Sequence, residues 1–203
     1  MNSKPVDNRT SPAPPTVDAR AAGAGRFGMV IFLISLSILF AASIIGYLVV
    51  RLRAESWRTT QMPELPSGLW VSTALLIACS GVLHFALVRI RKNSAAASQR
   101  ALLAGLVLGA AFLVNQILNW LSLASTQLPP TARNLYAFTF YMLTGLHAAH
   151  VIGGLIQLGV VAFRAFHGRY TAAYHPGITY TVMYWHFLDT VWLVMFLVML
   201  ALT

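Results

Sequence analysis

This sequence predicts an all-α membrane bundle of five transmembrane helices, and three observations lead there. Of 203 residues, 58% are hydrophobic and only 9% are charged, a balance far from that of a water-soluble domain. The apolar residues gather into five runs, 27–50, 68–88, 101–124, 135–163 and 178–203; four of them contain no Lys, Arg, Asp or Glu, and the fifth contains only Asp189. Each run has the roughly 20 residues a helix needs to cross about 30 Å of hydrocarbon. Lipid offers the backbone no partners, so helices that satisfy their own hydrogen bonds are expected throughout.

Residues 1–25 differ in kind. "MNSKPVDNRTSPAPPTVDARAAGAG" is rich in Pro, Ala and polar residues and lacks aromatics. It has no apolar core followed by a cleavage site, and it reads as a disordered tail rather than a signal peptide. Residues 26–203 then form one membrane domain. The connections are short and carry no phosphate-binding or dinucleotide pattern, so they hold no soluble catalytic domain.

Charge sets the expected orientation. Ten of the 14 basic residues lie in the tail and in the second and fourth connections: Lys4, Arg9, Arg20, Arg26, Arg89, Arg91, Lys92, Arg100, Arg164 and Arg169. The other four are Arg51, Arg53, Arg58 and Arg133. The positive-inside rule puts the N-terminus in the cytoplasm and the C-terminus outside, in the periplasm. The net charge of +9 reads as basic flanks beside anionic head groups, with no call for nucleic acid.

Polar residues at membrane depth are costly and therefore informative. The fourth span, "FYMLTGLHAAHVIGGLIQLG", carries His147 and His150 three residues apart on one helix face. The last span, "YWHFLDTVW", carries His186 and Asp189 in the same relation, with Trp185 and Trp192 flanking the aspartate. Gly145, Gly153 and Gly154 allow helices to approach closely. These six side chains, His147, His150, Trp185, His186, Asp189 and Trp192, are expected to form a buried hydrogen-bond network joining the fourth and fifth spans. A tetrahedral metal site, a proton relay through Asp189, and a haem held by His84 with a histidine of the fourth span are the competing readings. The lone Cys79 excludes an internal disulfide and reads as a small apolar side chain.

"TGLHAAHVIGG" (144–154) and "YWHFLDTVWLVMF" (184–196) together resemble the signature of subunit III of haem–copper terminal oxidases, the cytochrome c oxidase family. The matching positions are Thr144, Gly145, His147, His150 and Val151, then Tyr184, Trp185, His186, Phe187, Asp189 and Trp192. "FGMVIFLISLSILF" (27–40) and the glutamine of "VNQILNW" (114–120) are similar to further family segments. The resemblance covers nearly everything after the tail and corresponds to the short, five-helix bacterial form. It implies a non-catalytic subunit of a respiratory oxidase in the bacterial inner membrane. Such a subunit packs on subunit I beside subunit II and other small membrane subunits, binds phospholipid, and supports proton uptake and stable turnover. It implies no cofactor or metal of its own, with haems and copper in the partner subunits. Arg164 and Arg169 are the candidate lipid-phosphate ligands.

The chain also departs from that family. Leu36, Asn119 and Thr179 stand where members commonly carry carboxylates, which leaves Asp189 as the only acid in the five spans. A divergent oxidase branch, or the related accessory protein of nitric oxide reductase, fits that loss.

Overall fold

The computed structural model describes residues 17–53, 66–125 and 135–202, with side chains described for 24–53, 66–125 and 136–201. The tail up to residue 16 and most of the first and third connections lie outside the described residues. Five helices account for nearly all the rest: α1 Val17–Arg53, α2 Gly68–Arg91, α3 Ala95–Ser125, α4 Leu135–Phe166 and α5 Pro176–Leu202. All five are long and apolar enough to cross a membrane. The helix α1 begins at Val17, inside the stretch expected to be tail. The alanines at 21, 22 and 24 favour helix without needing tertiary contacts.

α2, α3, α4 and α5 form a ring in which each helix packs on the next and α5 closes back on α2. α1 stands outside this ring and touches only α4 and α5 among the described residues. Its inward stripe is Leu36, Phe40 and Tyr47, all buried, while Phe27, Ile31, Ile34, Ile38 and Ile45 face outward. In lipid such an outward apolar surface is at home.

Two tight turns on the same side of the bundle set helix order and register. After α2, Asn93 adopts a left-handed conformation at φ 57°. Asn93 N–H donates to Ile90 O at 3.0 Å and Ser94 N–H donates to Arg89 O at 2.9 Å. This Schellman pattern satisfies the last carbonyls and lets α3 start at once. After α4, Gly168 at φ 69° repeats the pattern: its N–H donates to Ala165 O, and Arg169 N–H donates to Arg164 O, both at 3.1 Å. Pro176 then opens α5, where its missing N–H costs nothing.

The core is made by interdigitation across small residues. Trp185, Trp192, Phe112, Phe140 and Leu158 are almost fully buried. A Cβ at Gly109 of α3 would run into the Trp185 indole and Leu155, and one at Gly154 of α4 would meet the Tyr184 ring. These glycines are the seats that let the Tyr184–Trp185 pair lie between α3 and α4. Gly145 has open space around it, so close approach on α4 depends on Gly154.

Candidate functional site

The six side chains expected to form one network fall on three surfaces. Consecutive residues of a helix point about 100° apart, and Trp185 and His186 turn to different neighbours. Trp185, Leu188 and Trp192 turn into the core, His186 turns toward α2, and Asp189 sits at the seam between them. The expected clasp between α4 and α5 is therefore corrected: His186 is exposed and takes its partners from α2.

His147 is fully buried, with neither ring nitrogen hydrogen-bonded. Its ring lies among Trp192 at 5.1 Å, Phe112 at 5.8 Å and Phe40 at 6.1 Å between centroids. It acts there as a flat aromatic filler. His150 bonds its own helix, Nδ1 to Leu146 O at 2.8 Å, and its ring lies 4.9 Å from that of Phe40, tilted by 59°. Tyr184 Oη donates to His150 O at 3.0 Å, which is the hydrogen bond that joins the two signature segments. Trp185 Nε1 has no partner, whereas Trp192 Nε1 donates to Thr73 Oγ1 of α2 at 3.0 Å.

The polar chain runs between α2 and α5. Ser80 Oγ and His186 Nδ1 are 2.5 Å apart, and His186 Nε2 lies 3.4 Å from His84 Nδ1. Asp189, one turn along α5 from His186, is half-buried, and its Oδ1 has no hydrogen-bond partner among the described residues. His84 thus pairs with α5 on an outer face and does not look toward the histidines of α4, as a haem between those spans would need. Among the described residues, no group of three or more His, Cys, Asp or Glu side chains is arranged to hold a metal ion.

A second polar ladder, not anticipated from the sequence, ties α2 to α3. Asn115 donates to Gly68 O at 2.8 Å and to Ser72 Oγ at 2.7 Å. Asn119 Nδ2 reaches the same hydroxyl at 3.4 Å, and Ser72 Oγ reaches Gln116 Oε1 at 3.4 Å. Ser72, Gln116 and Asn119 are all buried. Leu36 is buried as well, so two of the three positions where a family carboxylate was expected point inward, while Thr179 is half-buried. Cys79 Sγ donates to Gly105 O at 3.4 Å and is a packing residue of this same interface.

The turn between α4 and α5 borders a cleft of about 800 Å³. Arg164, His167, Arg169, Tyr174 and Tyr180 line it, with Phe163 on its apolar side. The Schellman turn folds Arg169 back toward the last turn of α4, which brings it to the same cleft as Arg164. Gln99 of α3 steadies that turn from behind, donating to Ala165 O at 2.8 Å.

Comparison with known proteins agrees with this architecture. The sequence model described as cytochrome c oxidase subunit III matches residues 18–202. The chain belongs to the cytochrome c oxidase subunit III family. It is similar to cytochrome c oxidase subunit 3 of Thermostichus vulcanus, 32% identical over 177 residues, covering 87% of this chain and 86% of that one. It is 34% identical over 178 residues to the same subunit of a Synechocystis species, covering 87% of this chain and 75% of the other. The probable subunit 3 of Nocardia farcinica is 31% identical over 172 residues and covers 83% of each chain. As a subunit III, the chain is a multi-pass protein of a bacterial membrane and part of respiratory electron transport. It works with other oxidase subunits, and these carry the redox cofactors.

Ser80, His84, Thr73 and Ser72 were absent from the expected network. Thr73, Ser80 and His84 follow the helical spacing of one α2 face, but nothing in the sequence said that this face meets α5.

Proposed function

We propose that this subunit III packs against subunit I with its N-terminus in the cytoplasm, holds an anionic phospholipid, and through it supports proton uptake and sustained turnover. The observation carrying this reading is the cleft at the α4–α5 turn, where Arg164 and Arg169 face one space together with His167 and three tyrosines. Two guanidinium groups suit a lipid phosphate, since each can bond it through paired N–H donors. The apolar wall from Phe163 suits an acyl chain leaving the head group. The turn sits among the more basic connections, which the positive-inside rule assigns to the cytoplasmic side. Proton uptake support would then rest on lipid and packing, since Leu36, Asn119 and Thr179 carry no charge.

The test uses the intact oxidase complex carrying Arg164→Ala with Arg169→Ala. The expected result is loss of tightly bound phospholipid by mass spectrometry of the washed complex, with faster inactivation during turnover. Unchanged lipid content and unchanged inactivation would remove the basis for this reading.

A further inference from the structure

The turn between α2 and α3 gathers Arg89, Arg91, Lys92 and Arg100 into one basic rim. No carboxylate is at hand to balance them. The one acidic side chain among those described is Asp189, about 20 Å along α5 from Pro176.

Two of these cations, Arg89 of α2 and Arg100 of α3, line a single cleft of about 630 Å³ between the two helices. Each is steadied by its own helix. The Arg89 guanidinium carbon lies 4.6 Å from the centre of the Phe85 ring, a cation–π contact. Arg100 Nε–H donates to Ala96 O at 3.4 Å, which leaves its terminal nitrogens for another acceptor. Ser94 adds a hydroxyl to the same lining.

Beyond this polar mouth the cleft is apolar. Val82 and Phe85 wall it from α2, and Ala97, Ala101 and Ala104 wall it from α3. Seven residues separate Val82 from Arg89, and seven separate Ala97 from Ala104, so the groove runs about 10 Å into the membrane. The alanine methyls leave it open, and α1 does not cover it, packing instead on α4 and α5. A free phosphate would use only the mouth. An acidic peptide laid along the groove would leave its backbone groups unpaired against the alanines. A phosphodiester that carries an acyl chain uses both parts: guanidinium groups bond its oxygens through paired donors, and the chain follows the alanines.

We propose that the α2–α3 groove, with Arg89 and Arg100 at its mouth, is a binding site for one anionic phospholipid, whose phosphate bridges the two helices. The site stands on other helices than the α4–α5 cleft and does not depend on the reading given to that cleft. The phosphate fastens α2 to α3 at the membrane surface, where the polar ladder from Gly68 to Asn119 does not reach.

The experiment uses the intact oxidase complex, washed free of loosely held lipid and titrated with phosphatidylglycerol while native mass spectrometry counts the lipid bound. Arg89→Ala with Arg100→Ala should weaken one site by about thirtyfold, the loss of two near-surface cations. The same loss should appear in a complex that also carries Arg164→Ala and Arg169→Ala, so the two sites are read apart. Arg89→Lys with Arg100→Lys keeps the charge without the paired donors and should restore only part of the affinity. Phe85→Leu, which releases the Arg89 guanidinium, should weaken binding about two- to fivefold. In the unaltered chain, phosphatidylglycerol with a photoreactive acyl chain should label residues 82–104, a readout that needs no variant to fold. Unchanged affinity in the alanine pair would overturn the proposal, as would full affinity in the lysine pair, which marks diffuse charge alone. So would equal binding of phosphatidylcholine, displacement of the lipid by equimolar inorganic phosphate, or acyl labels confined to other segments.

Discussion

Trp192 offers the sharpest measure of how α5 is held. Its indole is fully buried, donates to Thr73 Oγ1 at 3.0 Å and meets Phe112 edge-on at 5.2 Å. Trp192→Phe removes the donor and leaves a cavity of about 40 Å³, for about 1 kcal/mol at ~24 cal/mol per Å³. The lost interhelical bond adds about 1 kcal/mol, within the range measured in membrane bundles. The expected cost is therefore about 2 kcal/mol. Thr73→Val keeps the shape, removes the acceptor and costs about 1 kcal/mol. The double variant should cost about 2 kcal/mol again, because the shared bond is lost only once, giving a coupling of about 1 kcal/mol. The assay is unfolding of the isolated subunit in mixed micelles as SDS is raised, followed by circular dichroism. A coupling below about 0.3 kcal/mol, the scatter of independent sites, would refute this account of the α2–α5 junction.

Other perturbations separate seat from surface and test the turn. Gly109→Val should cost about 2–3 kcal/mol in the same titration, because its side chain would displace Trp185 and Leu155. Gly46→Ala on α1, with nothing within 4 Å, should instead gain about 0.5–1 kcal/mol from helix propensity. At the α2–α3 turn, Asn93→Val should lower stability by about 1–2 kcal/mol because β-branched residues resist its left-handed backbone. Asn93→Gly should keep or raise it, and thermal unfolding in detergent reads both.

The five helices were legible because length and apolarity alone decide them, and each predicted run lies inside an observed helix up to residue 202. The ends were less so. α4 runs on to Phe166 and stops at Gly168, whose left-handed turn is a backbone event rather than a hydropathy event. Side-chain faces were read only within one helix. The i, i+3 pairs were correctly placed on their helices, yet which neighbour each pair meets depends on helix order around the ring. Nothing in the local pattern says that α5 lies between α2 and α4. His147 shows the other limit: a histidine in a conspicuous motif was read as a hydrogen-bonding group, while its site is walled by Trp192, Phe112 and Phe40.

The position of α1 has a consequence for how the protein is made. It is the first of the five helices to be synthesised, yet its packing partners within the chain, α4 and α5, are the last. Until they emerge, α1 must rest in the bilayer as a solitary span, held by its apolar outer surface. α2 and α3, joined by three residues between Arg91 and Ala95, can pair as soon as both are inserted. Assembly order is thus written into the ring: the hairpin forms first, the signature helices close it, and the oldest segment docks at the end.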